Sequence, residues 1–294
     1  CNLVNKVKGN LNIGAANYLN YLSLYSPSYT TTNPSMLLKN KIAVITGGGQ
    51  GIGREIALEF ARQGADIVLA ARTQSKLDTV AAEVEQIGRK VLAISTDLRN
   101  VAEVEALRDQ TLEQFGRCDI LVNNSGIAGP VLPHWEIDPA DWQNTFDINV
   151  NGVFYCNRAF IPGMLEQASG NVIIIGSMTG KRPMLHRTPY TAAKMALVGM
   201  VRTLAWDLAD SGVRANLISP GAVAGERMER SFAAQGVAQG ITTDQAREQF
   251  TNVSPQKMLT EPKDVAHTAV FLASDMSGSI TGEDVNVSAG VVMY

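Results

Sequence analysis

The sequence predicts an α/β protein: one doubly wound parallel sheet of about seven strands with helices on both faces. Three observations carry that expectation. From Lys41 onward, short β-branched runs alternate with longer stretches of helical periodicity, the pattern of parallel strands joined by crossover helices. The runs are continuously apolar, as strands buried on both faces must be. The first run passes straight through a glycine-rich turn, Thr46-Gly47-Gly48-Gly49-Gln50-Gly51-Ile52-Gly53, into the first helical stretch.

The expected strands are Ile42–Thr46, Ile67–Ala71, Val91–Ser95, Ile120–Val122, Val172–Ile175, Ala215–Ile218 and Asp284–Val287. Between them, helices are expected at Ile52–Gln63, Ser75–Ile87, Val101–Phe115, Asp138–Phe160 and Tyr190–Leu208. The rhythm breaks once. After Pro220-Gly221, roughly forty residues pass before the helix that starts near Glu261-Pro262, with helical patterns at Arg227–Gln235 and Thr243–Phe250 but no strand. An insertion at the carboxyl end of a strand is where α/β proteins place substrate-covering elements, so residues 222–259 are expected to form a lid. Residues 36–294 form one expected domain, with Met36 its natural start. Residues 1–35, rich in Asn, Tyr, Ser and Thr and without periodicity, are expected to be a disordered or non-native extension.

Composition narrows the function classes. With 294 residues, 45% hydrophobic and 18% charged, the chain suffices for one large domain with a well-buried core. Acidic residues (28) slightly outnumber basic ones (25) and no basic tract stands out, which argues against a nucleic-acid partner. No apolar run reaches the ~18–20 residues of a membrane span. Cys1, Cys118 and Cys156 show neither metal-ligand spacing nor a disulfide framework, so reduced thiols in a cytoplasmic protein are expected. His134, His186 and His267 share no spacing, and no metal site is expected.

Two local patterns carry chemistry. A turn after a parallel strand can present backbone amides to a pyrophosphate only if side chains do not block it, and the following helix aims its free N–H groups at the same anion. Gly47 then makes the tight turn, Gly51 lets phosphate approach and Gly53 lets helix and strand pack closely. Further on, Val172–Ile175 runs into Gly176-Ser177, and Tyr190-Thr191-Ala192-Ala193-Lys194 heads a long helical stretch. Tyr190 and Lys194, at i and i+4, project from one helix face. A phenol of pKa about 10 is a poor base near neutrality, and a nearby ammonium moves it towards working pH. Taken singly, each feature has a plainer use as a flexible turn, an amphipathic surface pair or a turn serine.

In combination, the chain resembles the short-chain dehydrogenase/reductase family, whose Thr-Gly-x-x-x-Gly-x-Gly spacing and Tyr-x-x-x-Lys pair stand here in order. The resemblance runs from residue 41 to about residue 290. It implies a Rossmann-like fold and an oxidoreductase moving hydride between NAD(P)(H) and a carbonyl or secondary alcohol. Ser177 would hold the substrate oxygen, Tyr190 would exchange the proton, and Lys194 would poise Tyr190 and bind the nicotinamide ribose. Asn149 would fix a water in a proton relay. Cofactor contacts are implied for Thr46, Gly47, Gly49, Gln50, Gly51, Ile52 and Gly53, for Asp97 and Leu98 (the adenine-contacting pair), and for Asn123, Ser125 and Gly126, which stand where the family carries Asn-Asn-Ala-Gly. Pro220, Gly221 and Val223 complete the implied set, with Tyr190 and Lys194. A homotetramer through the long helices is also implied.

Two departures stand out. After Pro220-Gly221 the family often carries Thr at the fourth following position, where this chain has Gly225, so the nicotinamide carboxamide must be held by backbone near Val223 or by a later side chain. Ser288-Ala289-Gly290 replaces a commoner Asp-Gly-Gly. Cofactor choice is addressed where the second strand ends in Ala71-Arg72: no carboxylate is present to favour NAD(H), and a guanidinium suited to the 2′-phosphate follows. NADP(H) is therefore expected, with NAD(H) possible. Against it, Gln50 stands where NADP-linked relatives often carry a basic residue. Met178, Met184, His186 and Met228 are expected in a partly apolar substrate pocket with Ser177, and Trp135, Leu185 and Phe232 fall in segments that rim it. The substrate stays open among 3-oxoacyl thioesters, sugars or polyols, steroid-like alcohols and aromatic ketones. The alternative from another class is a catalytically silent nucleotide sensor or interaction protein on the same scaffold.

Overall fold

The computed structural model describes residues 36–294, and the expected extension at residues 1–35 lies outside the described residues. Seven strands form one sheet: β1 (Ile42–Thr46), β2 (Asp66–Ala71), β3 (Val91–Ser95), β4 (Ile120–Asn123), β5 (Gly170–Ile175), β6 (Val213–Pro220) and β7 (Asp284–Val287). All neighbours pair in parallel, in the order β3-β2-β1-β4-β5-β6-β7. The order reverses between β1 and β4, the crevice in which a doubly wound sheet binds ligands outside its strand ends.

The helices are α1 (Gly51–Arg62), α2 (Gln74–Gln86), α3 (Val101–Phe115), α4 (Pro139–Phe146), α5 (Gly152–Glu166), α6 (Thr188–Asp207), α7 (Glu226–Gln239), α8 (Thr243–Asn252) and α9 (Pro262–Ala273). Strand side chains alternate between two cores. Ala43, Ile45, Ile120 and Val122 join α1, α2 and α9 on one face. Val44, Leu121, Val172 and Ile174 join α3, α5 and α6 on the other. Residues 36–294 thus build one three-layered unit.

The helix expected over Asp138–Phe160 forms without a break but is not α-helical throughout. Between α4 and α5 the backbone widens into a π-turn, Asp147–Asn151, before α5 continues past an internal Pro162. Such a turn inserts residues into the helical ladder and re-aims a side chain, a device found mostly at functional sites. Here the re-aimed residue is the fully buried Asn149.

The insertion expected as a lid folds into α7 and α8, which pack on each other through the fully buried Phe232 and the ring of Phe250, their centroids 5.3 Å apart. Its two roots meet: Val223 and Thr260 form a parallel bridge, the Ala224 amide donates to Thr260 (2.8 Å), and the Thr260 amide donates back to Ala222 (2.9 Å).

Beyond β7 the chain turns through Ala289, at φ +51°, and Gly290, at φ +85°. A Cβ in this left-handed region crowds the following carbonyl. Ala289→Gly is therefore expected to stabilise the fold by about 0.5–1 kcal/mol, offset in part by added freedom in the unfolded chain, as urea denaturation would measure. A decrease in stability would show that the Ala289 methyl is needed for packing.

Candidate active site

The turn after β1 is shaped by its neighbours. Thr46 is fully buried, and its Oγ1 accepts from the Asn124 and Ser125 amides, both at 3.0 Å. Asn124 in turn donates from Nδ2 to the carbonyls of Thr46 (2.9 Å) and Gly47 (3.2 Å). These bonds tie the exit of β4 to the glycine turn across the switch point. At Gly51, φ is +57° and a Cβ would meet nothing, so the backbone stands open to the cavity. The first turn of α1 contains no acidic residue and its N-cap Gln50 makes no side-chain cap bond, whereas α3 and α4 are capped by Asn100 and Asp138. The α1 amides are thus left for an anion.

One cavity of about 770 Å³ runs from this turn to the lid. It brings together Gly47, Gly49, Gln50, Gly51, Ile52, Arg72, Asp97, Leu98, Ser125, Gly126, Pro220, Gly221 and Val223 of the expected cofactor residues. Ser177, Met178, Met184, Tyr190, Lys194 and Met228 line it too.

Other expected residues take different places. Thr46 and Gly53 act behind the wall: Thr46 braces the turn, and a Cβ on Gly53 would collide with the Gly47 carbonyl. Asn123 is buried and donates to Asn157 Oδ1 (2.8 Å), because strand alternation turns it to the opposite face. Its neighbour Asn124 lines the cavity instead. His186 does not line the cavity and sits at φ +59°, its carbonyl accepting from Leu132. Trp135 and Leu185 face outward, 84% and 77% exposed, and Phe232 is spent inside the lid.

At the far end, Ser177 follows β5 and its Oγ accepts from the Thr179 amide at 3.1 Å. Lys194 is buried, and its Nζ donates to the Ile175 carbonyl at 2.8 Å. The ammonium stands 5.8 Å from the centre of the Tyr190 ring. Burial raises the Tyr190 pKa, but Lys194, Arg227, a Ser177 hydrogen bond and Arg187 together outweigh it and hold the phenol below its ordinary range. Burial also lowers Lys194, opposed by Tyr190 and assisted by Arg227. Asn149 pairs with the Ile127 backbone, accepting from its amide at Oδ1 (2.8 Å) and donating from Nδ2 to its carbonyl (3.0 Å). Its side chain thus anchors the loop after β4, with one Nδ2 N–H and one Oδ1 lone pair not used in these two bonds.

Three features of the site were not anticipated from sequence. Arg187 and Arg227 flank Tyr190, with guanidinium carbons 5.1 and 5.9 Å from the ring centre. Lys76, from the first turn of α2, reaches across to Gln50 Oε1. The loop Lys181, just past Ser177, enters a buried ion pair with Asp284 of β7 at 2.8 Å and donates to Asn286 Oδ1 at 2.6 Å. Only the basic character of these residues was visible beforehand.

A glycine-rich strand-turn-helix with uncapped amides and a Ser/Tyr/Lys group thus share one cavity, the arrangement expected of a dinucleotide-dependent oxidoreductase. The chain belongs to the short chain dehydrogenase family, whose model matches residues 41–236. It is 35% identical over 259 residues to a 3-oxoacyl-[acyl-carrier-protein] reductase of Synechocystis sp., covering 87% of this chain and 99% of that protein. The crystal structure of a 7 alpha-hydroxysteroid dehydrogenase with NADH and 7-oxo glycochenodeoxycholic acid matches with a TM-score of 0.80 at 32% identity, over 88% of this chain and 97% of that one. The crystal structure of a variant actinorhodin polyketide ketoreductase with NADPH matches with a TM-score of 0.84 at 29% identity, over 87% and 98%. The protein is an oxidoreductase of the carbonyl/alcohol class, using NAD(H) or NADP(H), and nothing in these likenesses supports a silent nucleotide sensor.

Proposed function

We propose that the chain interconverts a ketone and a secondary alcohol with NADP(H), and that Tyr190 exchanges the proton. The observation that carries this reading is Tyr190 itself: a phenol lowered by neighbouring cations, beside Ser177 and Lys194, in the cavity that begins at the uncapped α1. The residues fit a dinucleotide, since the open face at Gly51 and the free α1 amides suit a pyrophosphate. When bound, the cofactor supplies or takes a hydride. Ser177 holds the substrate oxygen beside Tyr190. In reduction Tyr190 gives that oxygen a proton, and in oxidation the phenolate removes it. Lys194, fixed by the Ile175 carbonyl, favours the phenolate. The main-chain N–H of Val223 makes no backbone hydrogen bond among the described residues, which suits it to the carboxamide in place of the side chain missing at Gly225.

NADP(H) is favoured by the cations at the β2 end. Arg72 is exposed, Ala71 offers no carboxylate, and Lys76 brings to Gln50 the charge that Gln50 itself lacks. Two cations near one site suit a 2′-phosphate through charge-assisted hydrogen bonds. Steady-state kinetics with NADPH and NADH over a panel of ketones and alcohols test the reading. Arg72→Ala should cost NADP(H) about 1.5–3 kcal/mol and NAD(H) little, with a similar pattern for Lys76→Ala. A wild type that favours NADH, or equal losses for both cofactors, would overturn the preference.

The segment at 222–259 is read as a lid that orders over substrate. Residues of α7 line the cavity while α7 and α8 carry their own small core. Hydrogen exchange there should slow when cofactor and substrate are added, and protection already complete in the free protein would mark a fixed wall. A homotetramer through α5 and α6 belongs to the same reading, supported by the outward-facing Phe154 and Met195 on those helices. So does a cytoplasmic setting: Cys118 and Cys156 are free, buried thiols, and burial pushes Cys156 up to about 12.

A further inference from the structure

Two cations on the substrate side of Tyr190 have no counter-charge among the described residues. Arg187 and Arg227 both line the cavity and both approach the Tyr190 ring. The acidic residues next to Arg227 in the chain are engaged elsewhere, Glu226 with Arg230 and Glu229 with Arg247. Arg187 Nε is buried without a hydrogen-bond partner among the described residues. Arg227 is exposed, but Arg187 is half-buried beside it and needs a partner, because both burial and repulsion penalise its charge. Among the described residues, the only carboxylates lining the cavity are Asp97 and Glu226, and each is already paired, with Arg99 and Arg230. At the other end, Arg72 and Lys76 are accounted for by a phosphate. Arg187 and Arg227 remain.

We infer that the substrate is an anion: a short oxo acid, or the matching hydroxy acid, whose carboxylate is held by Arg187 and Arg227. This rests on the reading of Tyr190 as the proton-exchanging residue and names the substrate class for it. Guanidinium forks pair with carboxylates through strong, directional hydrogen bonds. With guanidinium carbons 5.1 and 5.9 Å from the Tyr190 ring centre, the pair favours a carboxylate near the reacting carbonyl, hence a short acid over one with a remote carboxylate. In reduction the carbonyl carbon gains a hydride from the reduced cofactor and its oxygen gains the Tyr190 proton. The product is the hydroxy acid, the cofactor is left oxidised by two electrons, and Tyr190 is reprotonated from solvent.

The test compares pyruvate, acetoacetate and levulinate, each with its methyl ester, as substrates of the full chain with NADPH. For the best of the three, kcat/KM of the acid should exceed that of the ester by roughly ten- to hundredfold. Arg187→Gln and Arg227→Gln should each bring that ratio towards one, mainly by raising KM for the acid, while any loss shared by acid and ester reports the poise of Tyr190. An ester used as well as its acid overturns the inference and leaves the oxidoreductase reading standing. If no pair turns over, calorimetry of the same acids and esters on the protein with NADP+ separates the two ideas. Binding of acids but not esters upholds the anion site and moves the failure to the proposed reaction, whereas equal binding, or none, overturns the anion site.

Discussion

Tyr190→Phe is expected to lower kcat by roughly 10²–10⁴-fold while leaving cofactor affinity nearly unchanged. The ring and its packing against Lys194, Arg187 and Arg227 survive the change, and only the transferable proton is lost. The pH dependence gives a second check with a definite sign. Burial pushes the phenol up, but Lys194, Arg227, Ser177 and Arg187 together pull it below the usual value of about 10. The phenolate is the base in oxidation, so kcat/KM for the alcohol should rise with pH and level off through an inflection below that value. Reduction needs the neutral phenol and should fall through the same inflection. Neutralising Lys194 by Lys194→Met should move the inflection upward. A Tyr190→Phe variant retaining near wild-type turnover would show that another group carries the proton.

Lys181→Met is expected to destabilise the fold by about 3–5 kcal/mol, the usual consequence of leaving one partner of a buried ion pair alone. The side chains of Lys181 and Asp284 are only 9% and 4% exposed, so solvent screens the pair little. Lys181 also holds Asn286, and its own carbonyl accepts from the Tyr294 hydroxyl at 3.4 Å, so one residue joins the turn after Ser177 to the edge strand and the C-terminus. Urea denaturation reads the loss. Removing both charges with Lys181→Met and Asp284→Leu should recover part of it, since the double variant buries no unpaired carboxylate. A single-variant loss below about 1 kcal/mol would mean that water reaches Asp284 and the pair behaves as a surface bridge.

Much of this architecture is written locally. Continuous apolar runs such as Ile42–Thr46 can be buried only from both faces, and the observed strands lie within a few residues of those expected. The glycine turn and the Tyr190/Lys194 pair are legible because strand-turn-helix geometry and helical periodicity are local rules. What was hidden depends on contacts distant in sequence. Alternation along β4 puts Asn124 in the cavity and Asn123 behind it, a difference of one residue at a strand end whose boundary is hard to read. The π-turn at Asp147–Asn151 leaves no periodic trace, because its five residues continue an otherwise helical pattern. Arg187, just before α6, and Arg227, in the first turn of α7, meet only once the lid is folded, and Lys76 meets Gln50 across 26 positions of chain.

The bridge between Val223 and Thr260 makes the intervening segment a cassette whose two ends meet just beyond β6. Closing a loop of twice the length costs only about 0.6 kcal/mol more, so such a cassette can be lengthened, shortened or exchanged at small energetic expense. Neither β6 nor β7 need shift register when that happens, since the clasp lies outside both strands. Grafting a foreign segment between Ala224 and Leu259 would then replace the part of the cavity wall formed by α7, Arg227 included, while the glycine turn and the Tyr190 backbone stay in place.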